Sequence, residues 1–245
     1  MTARLDRLLA NMGYGSRREI GMMAGAGWIT LDGVEVRDVA ARLSLVPDLP
    51  ERLLICGKHL DPLPGVAIMI HKPLGVTCSR KEAGGLIYDL LPNRWRNREP
   101  TLSTVGRLDK ETSGLLLMTD DGDLLHRIIS PKSNVPKRYV VTLDRSLTGE
   151  EGVIFASGDM MLEGEHKALL PAELEVTGDC NAILTLHEGR YHQVRRMFAA
   201  IGNHVTALHR DWVGGLVLPE DLAAGEIRVM TVGDVAAVFG HPSSN

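Results

Sequence analysis

The sequence predicts an α+β protein in two parts. A small helix–hairpin module occupies residues 1–60. A mixed, largely antiparallel sheet flanked by helices occupies 66–245, after a linker at 61–65. Three observations predict this. The first 45 residues carry two helical patterns and one hairpin signal. Pro47, Pro50, Pro62 and Pro64 cluster where one part should end. Beyond Val66, apolar runs of strand length mix with amphipathic helical stretches over hairpin-length links.

The elements follow in order. Leu5, Leu8, Leu9 and Met12 fall at i, i+3, i+4 and i+7, so a helix is predicted over 4–12, ended by Gly13 or Gly15. Ser16-Arg17-Arg18-Glu19 is a capping box that opens a second helix. That helix contains Gly21 and Gly25, and each interior glycine costs about 1 kcal/mol relative to alanine. Asp32-Gly33 joins Ile29–Leu31 to Val34–Val36 as a hairpin. Strands are predicted at 67–71, 115–119, 138–143, 172–176 and 182–187, and helices at 123–129, 148–155 and 192–201. Asp120-Asp121-Gly122-Asp123 lacks the alternating acids and distal Glu of a calcium loop. It is predicted to be a turn with Asp123 as a helix cap.

Composition narrows the class. Of 245 residues, 44% are hydrophobic, enough for a core. No apolar run approaches the ~18 residues that span a bilayer. The start, Met1 to Asp6, lacks the apolar core of a signal peptide. Cys56, Cys78 and Cys180 are far apart, which suggests neither a zinc site nor a disulfide framework; a reducing cytoplasm is expected. There is no Walker-type loop and no paired Gly-rich dinucleotide turn. The net charge of -4 argues against a chain that binds nucleic acid by charge alone. Local clusters argue otherwise: Arg94, Arg96 and Arg98, then Arg190, Arg195, Arg196 and Arg210 with His192, His204 and His209. Within residues 1–45 the surplus is only +1, from arginines 4, 7, 17, 18, 37 and 42 against acids 6, 19, 32, 35 and 38.

Residues 106–114 read Gly-Arg-Leu-Asp-Lys-Glu-Thr-Ser-Gly and run into Leu115-Leu116-Leu117-Met118. One carboxylate, Asp109, stands between Arg107 and a hydroxyl-rich turn. A lone Asp on a stiff support suits nucleophilic or acid–base chemistry. The same residues also suit a turn or a cap. A second feature is the face made by Val194, Met197, Phe198 and Ile201, with Gly202 as the stop. Arg195 and Arg196 then oppose the dipole of that helix in its first turn. An anion would offset this, with Asp109 and the phosphate of a bound nucleic acid as the candidates.

Further motifs come in order. They are His71-Lys72-Pro73-Leu74-Gly75-Val76, Lys137-Arg138-Tyr139-Val140-Val141, the stretch from Glu188 to Phe198, Leu208-His209-Arg210, Gly214-Gly215, and Leu222 to Glu226. The ordered set resembles pseudouridine synthases, in particular the branch that modifies small-subunit ribosomal RNA. The helix–hairpin module resembles the S4 RNA-binding module that precedes the catalytic domain in that branch. The resemblance implies isomerisation of a specific uridine to pseudouridine. Asp109 would be the catalytic carboxylate, Arg195 the cation beside it, and Tyr139 the ring that stacks on the target base. Arg107 would fill the space left by the extruded base. Lys137, Arg190, His192, Gln193, Arg196 and Arg210, with Arg17 and Arg18 of the module, would bind RNA. No cofactor and no metal are implied. The expected partner is ribosomal RNA or a small-subunit assembly particle, with no membrane, and the expected state is a monomer. A large-subunit target and a non-catalytic assembly factor are the alternatives. Intact Asp109, Tyr139 and Arg195 favour the enzyme.

Overall fold

The computed structural model describes residues 1–240. They form two compact units: Met1–Ala67 with 91–103 and 119–122, and 68–90 with 104–118 and the chain from Asp123 onward. Residues 241–245, the end of the predicted 66–245 part, lie outside the described residues.

In the first unit, β1 (Thr2–Arg4) pairs antiparallel with β4 (Arg42–Ser44). Between them come α1 (Leu5–Asn11), α2 (Arg17–Gly25), β2 (Ile29–Leu31) and β3 (Val34–Glu35). Then follow α3 (Leu49–Arg52), β5 (Leu53–Ile55) and β6 (Lys58–His59), giving a small sheet in the order β3-β2-β5-β6. The capping box forms: Ser16 Oγ accepts from Glu19 N, and the Glu19 carboxylate accepts from Ser16 N at 2.7 Å. Asp32 and Gly33 have φ of 52° and 80°, the doubly left-handed pair that matches hairpin twist. Leu5, Leu8, Leu9 and Met12 are buried against Ile20, Ala24 and Ile29. That burial lets α2 form despite its glycines, because tertiary packing outweighs propensity.

The predicted basic cluster at 94–98 requires correction. These arginines serve the first unit. On α4 (Asn93–Arg96), Arg94 pairs with Asp61, with Nη2 3.0 Å from Oδ1. Arg96 donates to the Leu91 carbonyl. Arg98 pairs with Asp120 at 3.1 Å, each side chain only 1% exposed. Asp120 is therefore a buried ion-pair partner, which also accepts from Gly65 N. Asp123 lies inside α5 (Gly122–Ile129) instead of capping it.

The second fold element is a nine-stranded sheet. Its members are β7 (Ala67–Lys72), β8 (Ser103–Thr104), β9 (Ser113–Thr119), β10 (Lys137–Leu143), β11 (Glu173–Gly178), β12 (Asn181–Leu186), β13 (Val205–Val213), β14 (Leu216–Val217) and β15 (Ile227–Val229). The order is β11-β12-β10-β13-β9-β7-β15, with β14 on β13 and β8 on β9. β13 pairs with β9 in parallel, while β10–β12, β10–β13, β11–β12 and β7–β15 are antiparallel. The fold is α+β with a mixed, largely antiparallel sheet. Helices α6 (Glu151–Ala156), α7 (Gln193–Ala200) and α8 (Val232–Ala237) complete it.

The predicted apolar face of α7 packs as expected. Val194, Met197 and Phe198 are buried with Val141, Leu143, Leu184 and Leu208, and Ile201 packs at their edge. Phe198 meets Phe155 edge to face, with centroids 5.1 Å apart. The longest strand, β13, does not follow a period of two and is absent from the predicted strands. Its pairing with β10 shifts register at Arg138/Tyr139 and at Thr142/Leu143. Val205, Leu208, Arg210 and Val213 are consequently the buried positions, and their spacing is not two. Among the described residues, no helix is long and apolar enough to cross a membrane.

Candidate active site

The Asp109 loop is built from beneath. β9 lies parallel to β13, with Ser113 opposite His209 and Gly114 opposite Arg210. Gly114 has φ +112°, and a Cβ there would fall on the Arg210 backbone. Only glycine allows that approach. Ser113 Oγ and His209 Nδ1 lie 2.9 Å apart, and Arg210 Nε donates to the Leu115 carbonyl at 2.9 Å.

Lys72 ends β7 with its side chain fully buried. Its ammonium donates to the carbonyls of Thr112 (2.7 Å), Pro73 (3.0 Å) and Lys110 (3.4 Å). Charge-assisted bonds of this kind are roughly twice as strong as neutral ones. Burial pulls the Lys72 pKa down, while Cys78, Glu111 and Asp109 oppose the shift. Thr112 N closes the turn onto the Asp109 carbonyl at 3.1 Å.

Asp109 is thus presented on a tied loop, its side chain 30% exposed. Its charged neighbour differs from the expected one. His192 Nε2 lies 3.3 Å from Asp109 Oδ1. Among the described residues, Arg195 makes no ion pair with Asp109. It donates instead to the carbonyls of Val205 (2.9 Å) and Glu111 (2.6 Å). The physical reason is its place in the first turn of α7, where its forked guanidinium reaches two backbone oxygens. Those carbonyl dipoles supply the compensation that the sequence assigned to an anion. Arg195 therefore braces the residue two positions after Asp109. His192 precedes α7 with φ +48° and stacks on exposed Tyr191, centroids 3.9 Å apart.

A cavity of about 550 Å³ brings together Asp109, Arg107, Lys137, Tyr139, His192 and Arg210; Arg190 and Gln193 also border it. Leu108 is buried between exposed Arg107 and partly exposed Asp109, so the two polar chains share an outward side. Tyr139 is partly buried on the strand face of Val141 and Leu143. Lys137 has no ion pair or hydrogen-bond acceptor among the described residues. Burial first, then repulsion by Arg210, pushes its pKa down to about 8.

Other predicted RNA-binding side chains have internal partners. Arg190 bonds Glu188 (3.0 Å), Glu165 (3.3 Å) and the Lys167 carbonyl (2.7 Å). Arg196 bonds Glu165 at 2.9 Å, the main cause of the lowered Glu165 pKa. Gln193 is buried and bonds Glu188 at 3.0 Å. In the first unit, Arg17 pairs with Asp6 at 2.7 Å. Arg18 is exposed and makes no ion pair among the described residues. The predicted phosphate contacts at Arg190, Arg196 and Arg17 are thus occupied by carboxylates, since those donors lie within reach of acids distant in sequence.

Sequence reasoning missed the roles of Lys72, Glu165 and the His192–Asp109 contact. For Lys72 a signal existed: a lysine two residues after the apolar run Ala67–Ile70, on the same strand, has to find oxygen atoms at depth. Among the described residues, no group of three or more His, Cys, Asp or Glu side chains is placed to hold a metal.

A tied carboxylate, an adjacent ring and cations in one cleft define a site for chemistry on a flat, polar substrate. Comparison with known proteins specifies the class. A profile of the RNA pseudouridylate synthase family matches residues 66–200. The chain belongs to that family and is an RNA pseudouridine synthase, an intramolecular isomerase. It is 40% identical over 240 residues to the ribosomal small subunit pseudouridine synthase A of Escherichia coli (strain K12), covering 96% of this chain and 99% of that one. The protein of the same name from Vibrio cholerae is 37% identical over 239 residues, with 96% and 99% covered. A solved pseudouridylate synthase structure aligns with a TM-score of 0.67 at 35% identity, over 96% of this chain and 99% of that one.

Proposed function

We propose that this enzyme isomerises a specific uridine of small-subunit ribosomal RNA to pseudouridine, with Asp109 as the catalytic carboxylate. The observation that carries the assignment is the Asp109 loop. Lys72 holds it by two carbonyls, those of Lys110 and Thr112, and Arg195 by the Glu111 carbonyl, and it presents one carboxylate to a cavity shared with Tyr139. Rigid support of this kind keeps a reacting group within the narrow geometry that catalysis needs. The small-subunit target rests on the names of full-length relatives.

The reaction breaks a glycosidic bond, turns the base and forms a carbon–carbon bond. The bond is hidden inside paired RNA, so the target nucleotide is extruded. Tyr139 stacks on the base that enters. Arg107 stands exposed beside the site, placed to fill the vacated space. Residues 1–60 act as an S4-like module whose contribution is orientation, since Arg17 is already paired and the charge surplus is small. The enzyme works as a cytoplasmic monomer on ribosomal RNA or an assembling small subunit.

Asp109→Asn tests the assignment. It is expected to fold with an unchanged melting temperature and to lose tritium release from 5-tritiated uridine in ribosomal RNA. Release at the wild-type rate would remove Asp109 from the chemistry. Mapping pseudouridine in cells that lack the protein is expected to show one missing site in the small-subunit RNA. A loss confined to large-subunit RNA would reassign the substrate.

A further inference from the structure

Most arginines bordering the cavity or its sheet are neutralised. Glu165 serves Arg190 and Arg196, and Asp211 serves Arg138. Four lining cations make no ion pair among the described residues: Arg107 and Lys110, which are exposed, and Lys137 and Arg210, which are half-buried and buried. Lys137 opens β10 two residues before Tyr139, so the two side chains leave the same strand face. Tyr139 in turn sits opposite Arg210 on β13. Arg210 is only 4% exposed, and its Nε is held by the Leu115 carbonyl. Two like charges beside a ring, half out of water and with no carboxylate at ion-pair distance among the described residues, are costly unless an anion arrives.

The chemistry supplies one. When N1–C1′ breaks, its electron pair passes to the uracil ring and spreads over N1, O2 and O4. The ring turns, and the pair then forms the C5–C1′ bond. C5 loses its proton and N1 gains one, so atoms and electrons balance without a co-reactant. Between the two bonds the ring carries negative charge, whichever atom Asp109 engages.

We infer that Lys137 and Arg210 are the electropositive wall that receives this charge, holding the carbonyl oxygens of the detached ring while it turns beside Tyr139. Fixed donors aimed where charge develops act most strongly in a water-poor cleft. The Lys137 pKa of about 8 leaves the amine mostly protonated at neutral pH, as the role requires. The inference rests on the reading that the target base enters this cavity. The same cations suit any anion, and a flanking phosphate of the RNA is the other source.

The test uses the full chain with Lys137→Met, Lys137→Gln and Lys137→Arg, and Asp109→Asn as the reference for the site. Single-turnover rates are measured at saturating ribosomal RNA transcript, and affinity is followed against salt. Lys137→Met is expected to slow the single-turnover rate about 10²-fold, with Lys137→Arg recovering most of it and the salt slope unchanged. Lys137→Gln carries the test if the Met variant melts early. A rate within about threefold of wild type, judged against the factor of ten that 1.4 kcal/mol represents, overturns the inference. A slope reduced by ~1 with that rate intact assigns Lys137 to a phosphate instead. If Asp109→Asn is inactive while Lys137→Met is fully active, only this inference fails. If Asp109→Asn is active, the reading of the site fails first.

Discussion

The first unit and the cavity use the same residue types to opposite ends. In the first unit, Asp6 takes Arg4 and Arg17, Asp32 takes Arg52, Asp61 takes Arg94, and Asp120 takes Arg98. Those cations are spent on the fold. In the cavity, Lys137 and Arg210 have no carboxylate at ion-pair distance among the described residues, and the ion-pair neighbour of Asp109 there is His192. The difference teaches that counting basic residues does not locate a nucleic-acid site. What matters is which cations the fold leaves unbalanced, since only these pair with a ligand without first breaking an internal bond.

The strongest way to break this comparison is at the buried pair. Burial pushes the Asp120 pKa up and outweighs the pull of Arg98. Arg98 Nη1 finds no acceptor among the described residues. Asp120→Asn leaves Arg98 charged and uncompensated, with an expected loss of ~3–5 kcal/mol in urea unfolding. Arg98→Met with Asp120→Leu is expected to recover most of it. A single variant as stable as wild type would mean that this pair does little for the fold.

A smaller effect separates adjacent arginines. Arg195→Ala removes the brace on the Glu111 carbonyl and is expected to lower turnover by ~10²-fold at saturating RNA. Arg196→Ala removes a partly exposed bond to Glu165, and ~fivefold at most is expected from a pair worth 0–1 kcal/mol. Equal losses in the two would show that bracing by Arg195 is not what supports the loop.

The mildest test is acid. Asp6 is held well below its ordinary value of 3.8, chiefly by Arg4, with Arg17 adding to the effect against burial. A lowered folded-state pKa gives stability that is fully present above the unfolded value and is lost as pH falls through the folded one. Asp6→Asn is therefore expected to destabilise at neutral pH, with the difference from wild type shrinking below about pH 4. A difference that stays constant with acidification would rule out charge as the contribution of Asp6.

Much of the molecule was legible in the chain. The capping box at Ser16, the Asp32-Gly33 hairpin and the α7 face all depend on neighbours within about eight residues. Local rules of cap, turn and period reach that far. Asp109 stood out because its motif is contiguous and leads into a buried strand. β13 was hidden because bulges break its period. The arginines at 94–98 looked like a surface patch because Asp61 and Asp120 are distant in sequence.

The sequence by itself determined the class of fold and the family and made Asp109 the candidate carboxylate, since each is encoded in short, ordered runs of residues. The tertiary structure alone decided how charge is shared. It buried Lys72 under the Asp109 loop, turned Arg195 from the carboxylate to two carbonyls, and spent Arg190 and Arg196 on Glu165. It also left Lys137 and Arg210 unbalanced in the cavity. Pairing of charges depends on distance in space, and the chain brings acids and bases from separate segments within 4 Å only once the sheet has formed.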